Sequence, residues 1–163
     1  MYLLLIAFCY SIAYLLLWFL FPAFFEGSID RPHRRSLRSI GSIVLLSLLV
    51  SVISMQIKDL ELSNRFLHAF GGGFLSFFVC FLVVKDTRIT ISRFQFFVFS
   101  FLVVIALGVG NEILEYILQN YTPLSFAKTA NDTWLDLISN CVGALIAAVP
   151  LVYFIRLPKQ DAV

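Results

Sequence analysis

The sequence predicts an all-α polytopic membrane protein, a bundle of five transmembrane helices with the N-terminus outside and the C-terminus cytoplasmic. Three observations lead there. Of 163 residues, 60% are hydrophobic and only 13% charged, against roughly 45–50% and about 25% in soluble globular chains, so too little polar surface exists to face water. Five apolar segments are long enough to cross a hydrocarbon core that takes roughly 20 helical residues. Basic residues are concentrated in alternate connections, which orients the bundle.

The first segment, about residues 2–25, carries no charge from Tyr2 to Phe25 and lacks both a basic n-region and an A-x-A-like end. It therefore reads as a retained helix rather than a cleaved signal peptide. The second, about 39–57, is uncharged from Ser39 to Ile57, and the third, about 65–84, holds only His68 as a titratable group after Arg65. The fourth, about 93–119, is uncharged from Phe94 to Asn111 and then carries Glu112 and Glu115; the fifth, about 133–155, carries Asp136 near its start. Connections are short and nothing repeats at a fixed period, so residues 1–163 read as one integral membrane domain. With the N-terminus outside, the cytoplasmic side holds Arg31, Arg34, Arg35, Arg38, Lys85, Arg88, Arg93, Arg156 and Lys159, against Lys58, Arg65 and Lys128 outside. The bias of nine to three sets the topology.

Several function classes drop out. The net charge of +2 is scattered between apolar runs and forms no nucleic-acid face. Cys9, Cys80 and Cys141 are odd in number, lie in apolar runs and show no CxxC or CxxH spacing, so they read as small apolar fillers. Gly71–Gly73 lacks the Lys-Ser/Thr of a phosphate loop. Ala69/Gly73, Gly143/Ala147 and Ala144/Ala148 repeat small residues at four-residue spacing, a helix-packing pattern, and Pro22 and Pro150 fit tolerated kinks. His33, in the basic loop Arg31–Arg35, reads as solvated or touching anionic headgroups, while Trp134, Tyr116 and Tyr121 suit an interfacial belt, with Trp134 also able to wall a pocket.

The intramembrane polar groups carry the functional information. His68 lies near the start of helix 3, Glu112 and Glu115 near the end of helix 4, and Asp136 near the start of helix 5. Because helix 4 runs antiparallel to the other two, all of them fall at one membrane level, extracytoplasmic by the charge count. Gly108, Glu112, Glu115 and Gln119 form one helical stripe; Asp132, Asp136, Asn140 and Gly143 form another. Gly71 and Gly72 leave room beside His68. Buried charges cost about 2.5–3.5 kcal/mol each at the bilayer centre. Three acids therefore have to face one another, His68, Arg65 or water, and share a proton, a metal ion or a basic partner. His68, Glu112 and Asp136 are the candidate metal ligands, but no strong motif such as H-E-x-x-H supports them, and a divalent metal is not the favoured reading.

Asn64-Arg65-Phe66-Leu67-His68, Glu112-Ile113-Leu114-Glu115 and Asp136-Leu137-Ile138-Ser139-Asn140-Cys141-Val142-Gly143-Ala144 resemble, in order, the D-K-x-x-H, E-x-x-Q and D-x-x-x-N-x-x-G-A motifs of VanZ-like membrane proteins. The resemblance spans about residues 64–148, the VanZ-like core. Asn64-Arg65 replaces Asp-Lys and Glu115 replaces Gln; the E-x-x-E form, with Asp132 before Trp134, is similar to the YjdF-like (DUF2238) branch. The resemblance implies a small multi-pass envelope protein, with His68, Glu112, Asp136 and Asn140 at the matching motif positions. The family is named for a link to glycopeptide resistance, and the departures here weigh against that role.

The reading that follows is an inner-membrane protein whose outer-leaflet pocket binds or processes an envelope lipid or lipid-linked precursor, or a glycopeptide-related ligand. His68, Glu112, Glu115 and Asp136 would do the chemistry; Arg65, Gly72, Asp132 and Asn140 would shape the ligand site. In an enzyme, His68 is the base or a metal ligand and one protonated carboxyl the acid. The alternative is a non-enzymatic membrane component that binds a partner, or whose polar cluster only fixes helix packing. A proton-coupled transporter fits less well, since no inverted repeat is visible and the acids occupy one leaflet.

Overall fold

The computed structural model describes residues 2–26, 36–122 and 130–155, and among these every regular element is helical. Five helices follow in order: α1 (Tyr2–Glu26), α2 (Leu37–Gln56), α3 (Leu60–Thr87), α4 (Arg93–Tyr121) and α5 (Ala130–Tyr153), all long and apolar enough to cross a membrane. The all-helical, five-span expectation is met. Arg31, His33, Arg34, Arg35, Lys128, Arg156 and Lys159 lie outside the described residues.

Boundaries follow local chemistry. The Ser36 side chain caps α2 by accepting from the Ser39 amide at 3.3 Å. Ser92 and Gln95 form a reciprocal capping box that starts α4, with bonds of 2.9 and 3.1 Å. Asp59 accepts from the amides of Glu61 and Leu62 at 2.9 and 3.0 Å. This cap begins α3 at Leu60 rather than near Arg65, because a polar stretch with a good N-cap remains helical beyond the apolar core. At its other end α3 closes on Arg88 in the left-handed conformation, whose amide bonds back to Val84.

The helix interior of α3 departs from regular geometry. Leu67–Phe74 forms a π-helical stretch, continuous with α-helix on both sides. The Leu75 amide reaches the Phe70 carbonyl, five residues back, so each turn is wider than in an α-helix. Gly71–Gly73 removes three side chains from that widened turn. From α1, the Tyr10 hydroxyl donates to the Gly71 carbonyl at 2.5 Å, giving a π-helical carbonyl a partner on a neighbouring helix.

Helix α3 packs against each of the other four. Its closest approach is to α5: a Cβ on Gly143 would overlap the Ala69 carbonyl, and one on Gly73 would overlap the Asn140 carbonyl. Here the small-residue spacing seen in the sequence acts, since without side chains the two backbones come into direct contact. Helix α2 offers a smooth face made by buried Ser39, Ser47, Ser51 and Ser54. Ser47 and Ser51 donate to carbonyls of their own helix at 2.7 and 2.8 Å, so burying them strands no hydroxyl. Ser54 and Ser63 bond to each other at 2.7 Å and hold the end of α2 against the start of α3.

Aromatic side chains fill the wider gaps. Phe77 of α3 meets Phe96 of α4 edge-on at 5.3 Å, and Phe21, Phe24 and Phe25 of α1 surround Phe99. The outward faces carry Phe8, Leu16, Leu45, Leu102 and Val149, all exposed, as lipid-facing surfaces require. Cys80 is buried, Cys141 half-buried, and Cys9 sits on the outer face, so not every cysteine is a core filler. Pro22 and Pro150 are accommodated within α1 and α5.

Two polar regions mark the ends of the bundle. At one end the buried Tyr14 of α1 donates to Asp86 of α3 at 2.6 Å, and Arg93 of α4 donates to the Tyr153 carbonyl at the end of α5. The opposite end gathers the start of α3, the end of α4 and the start of α5. Helix α4, at 29 residues, is about 43 Å long and outruns a hydrocarbon core of about 30 Å. The helix is therefore longer than a perpendicular crossing needs by about two or three turns.

Candidate functional site

The polar end is built as two linked clusters. The first centres on Arg65, two residues before the π-helical stretch, whose guanidinium donates to Asp132 Oδ1 at 2.5 Å and to the Asp132 carbonyl at 3.1 Å. The same guanidinium pairs with Asp136 Oδ1, which also accepts from the Asn64 amide at 2.9 Å. Glu61 lies at 3.7 Å on the solvent-facing side, 74% exposed. Because the Arg65 and Asp136 side chains are only 17% and 3% exposed, this ion pair is desolvated, and both partners depend on each other.

The second cluster is open. His68, Glu112 and Glu115 bring one donor atom each to within 4.8 Å of one another. Glu112 and Glu115 are one helical turn apart on α4, so both carboxyls leave the same face. His68 comes from the π-helical stretch of α3. Glu115 accepts from its neighbour Asn111 at 2.8 Å. Glu112 is 8% exposed. Asn111 and Thr133 flank it, but neither of its carboxylate oxygens accepts a hydrogen bond of normal geometry among the described residues.

Asp136 links the clusters, since its Oδ2 lies 3.5 Å from His68 Nε2 while Oδ1 serves Arg65 and Asn64. Deeper in the bundle, Asn140 fills a slot between two glycines. A Cβ on Gly72 would overlap Asn140 Oδ1, and one on Gly108 would stand 2.9 Å from Nδ2. Gly72 therefore supports the site by its missing side chain. Asn140 is 4% exposed and its Oδ1 has no hydrogen-bond donor among the described residues.

The structure thus brings together all eight residues singled out by the sequence, but pairs them differently from the expected metal trio His68, Glu112 and Asp136. Glu115 takes the third position beside His68 and Glu112, because Asp136 is turned to Arg65 and Asn64. Trp134 does not wall the site: it is 65% exposed and points away from the bundle, as Tyr116 and Tyr121 do. Gln119, the last member of the α4 stripe, is half-buried beyond the cluster.

Sequence reasoning missed Asn64 as a ligand of Asp136 and Tyr10 as a support of the glycine turn. For Asn64, its four-residue spacing to His68 was an available signal.

A family model described as predicted membrane protein (DUF2238) matches residues 62–157. The matched stretch begins in the first turn of α3 and takes in both clusters. No curated protein and no solved structure matches the chain. The wider likeness to VanZ-like proteins rests on the three motifs alone. Since the family model covers more than half of the residues, the chain belongs to the DUF2238 family of predicted membrane proteins.

Proposed function

We propose that this protein resides in the inner membrane of a cell envelope and uses the cluster at the ends of α3, α4 and α5 to bind or process the headgroup of an envelope lipid or lipid-linked precursor. The observation that carries this reading is Glu112, a carboxyl group inside a membrane-spanning helix, only 8% exposed, whose flanking Asn111 and Thr133 give neither oxygen a hydrogen bond of normal geometry among the described residues. A bare carboxylate in such surroundings costs several kcal/mol, more than helix packing alone would tolerate when a neutral residue would fit. Polar groups within membrane spans are by default functional.

Position supports the ligand class. The cluster lies where α4 leaves the hydrocarbon layer, and Ile113, Leu114 and Tyr116 beside it are more than half exposed, so a lipid diffusing in the bilayer meets it at headgroup depth. The basic bias of the loops supports an extracytoplasmic position for this end. Should the headgroup be transformed at a metal-free site, His68 would act as the base and a protonated glutamic acid as the acid, both within reach of one bound group.

The closed lattice of Arg65, Asp132, Asp136 and Asn64 favours a second reading for its own half of the site, as a brace that fixes α3 against α5. Native mass spectrometry of the protein extracted from vesicles of phosphatidylethanolamine, phosphatidylglycerol and a polyprenyl pyrophosphate separates the two. Wild type is expected to retain one lipid species. Glu112→Gln should lower its occupancy at least about tenfold, equivalent to about 1.4 kcal/mol, and still elute as folded protein. Equal lipid retention by wild type and variant would contradict a headgroup site.

A further inference from the structure

We propose that His68, Glu112 and Glu115 hold one divalent cation of the zinc or manganese class, with His68 ligating through Nδ1 and its Nε2 held by Asp136. The inference concerns the same site and rests on its reading as a ligand-binding one. Three donors from two helices already lie within 4.8 Å of one another. Ligand atoms bonded at about 2.0–2.2 Å surround an ion at mutual separations of about 3–4 Å, so small side-chain rotations close the set. One imidazole and two carboxylates suit ions intermediate between the nitrogen-preferring and oxygen-preferring metals.

Three features beyond proximity point to a bound ion. Glu112 is nine-tenths buried, aimed into the cluster, and accepts no hydrogen bond of normal geometry among the described residues, although Asn111 and Thr133 flank it. A coordinated cation would satisfy it. Glu115 is fixed through one oxygen by Asn111 at 2.8 Å, and Asp136 Oδ2 stands 3.5 Å from His68 Nε2 while Arg65 and Asn64 hold its other oxygen. Carboxylates placed behind ligating histidines, and hydrogen bonds to ligating carboxylates, are the usual outer support of metal sites. Finally, the four carboxylates of Asp132, Asp136, Glu112 and Glu115 are gathered at this end of the bundle, with Arg65 paired to the two aspartates. When ionised, this group has three negative charges more than it has positive ones, and a divalent ion placed between the two glutamates offsets two of them.

The ion would also resolve the chemistry of ligand choice. An acidic pocket repels the phosphate of a lipid headgroup. With three protein ligands, a coordination position stays open, and a phosphate oxygen can occupy it.

The test uses the full-length protein purified in detergent, treated with a chelator, desalted and titrated with Zn²⁺ and separately with Mn²⁺. Elemental analysis and calorimetry are expected to give one ion per chain for at least one metal. Glu112→Gln and Glu115→Gln should each weaken binding at least about tenfold with unchanged helical circular dichroism, and Asp136→Asn, which also breaks the pair with Arg65, by about 10–100-fold. Absence of stoichiometric binding by wild type overturns the proposal, as does equal affinity in both glutamine variants. Lipid retention by a wild type that takes up no stoichiometric metal would sink the metal while leaving the headgroup reading intact; stoichiometric metal without retained lipid does the reverse.

Discussion

Replacing Arg65 with alanine is expected to destabilise the bundle by about 3–5 kcal/mol, the range for removing one partner of a buried ion pair. Asp136 would lose its cation while 3% exposed, and Asp132 would lose its charged hydrogen bond of 2.5 Å. The start of α3 and the start of α5 would separate. Unfolding in detergent, followed by helical circular dichroism, should show the loss directly. The double variant Arg65→Ala/Asp136→Ala should recover part of it, because the stranded carboxylate is gone. A single variant as stable as wild type would mean that the lattice does not hold the helices together.

The second large effect is expected at Gly143. A valine there would drive a Cβ into the Ala69 carbonyl, and because the obstacle is backbone rather than a flexible side chain, α3 and α5 have to move apart. The cost should equal or exceed the upper end of the about 1–3 kcal/mol usual for overpacking. Gly110→Ala provides the contrast. No atom lies within 4 Å of a Cβ at Gly110, and alanine in a helix interior is favoured over glycine by about 0.5–1 kcal/mol. Melting temperatures should fall for Gly143→Val and hold or rise for Gly110→Ala; equal behaviour would refute the close α3–α5 contact.

These two sites show which parts of the structure the sequence made legible. Helix spans were readable because length and apolarity are local properties, and α1, α2, α4 and α5 begin and end within a few residues of the expected positions. Helix α3 started earlier because Asp59 caps a polar turn that no hydropathy pattern includes. The polar stripes were also readable, since periodicity places Glu112 with Glu115 and Asp136 with Asn140 on single faces.

Pairing across helices was not readable. Nothing local says that Arg65 takes both Asp132 and Asp136, which leaves Glu115 rather than Asp136 beside His68 and Glu112. Gly71–Gly73 signals freedom without specifying a π-helical turn. Tyr10 and Tyr14 look like ordinary members of an uncharged span until the fold sets their hydroxyls against the Gly71 carbonyl and Asp86. Each of these depends on tertiary placement.

The central claim is that Glu112 serves a ligand and not the fold. Thermal unfolding of ligand-free wild type and Glu112→Gln tests it most directly. Replacing a buried carboxyl group that accepts no hydrogen bond of normal geometry should leave the unliganded variant as stable as wild type or more so, the usual trade at sites held ready for function. A drop comparable to that of Arg65→Ala would make Glu112 part of the packing network and would contradict the account.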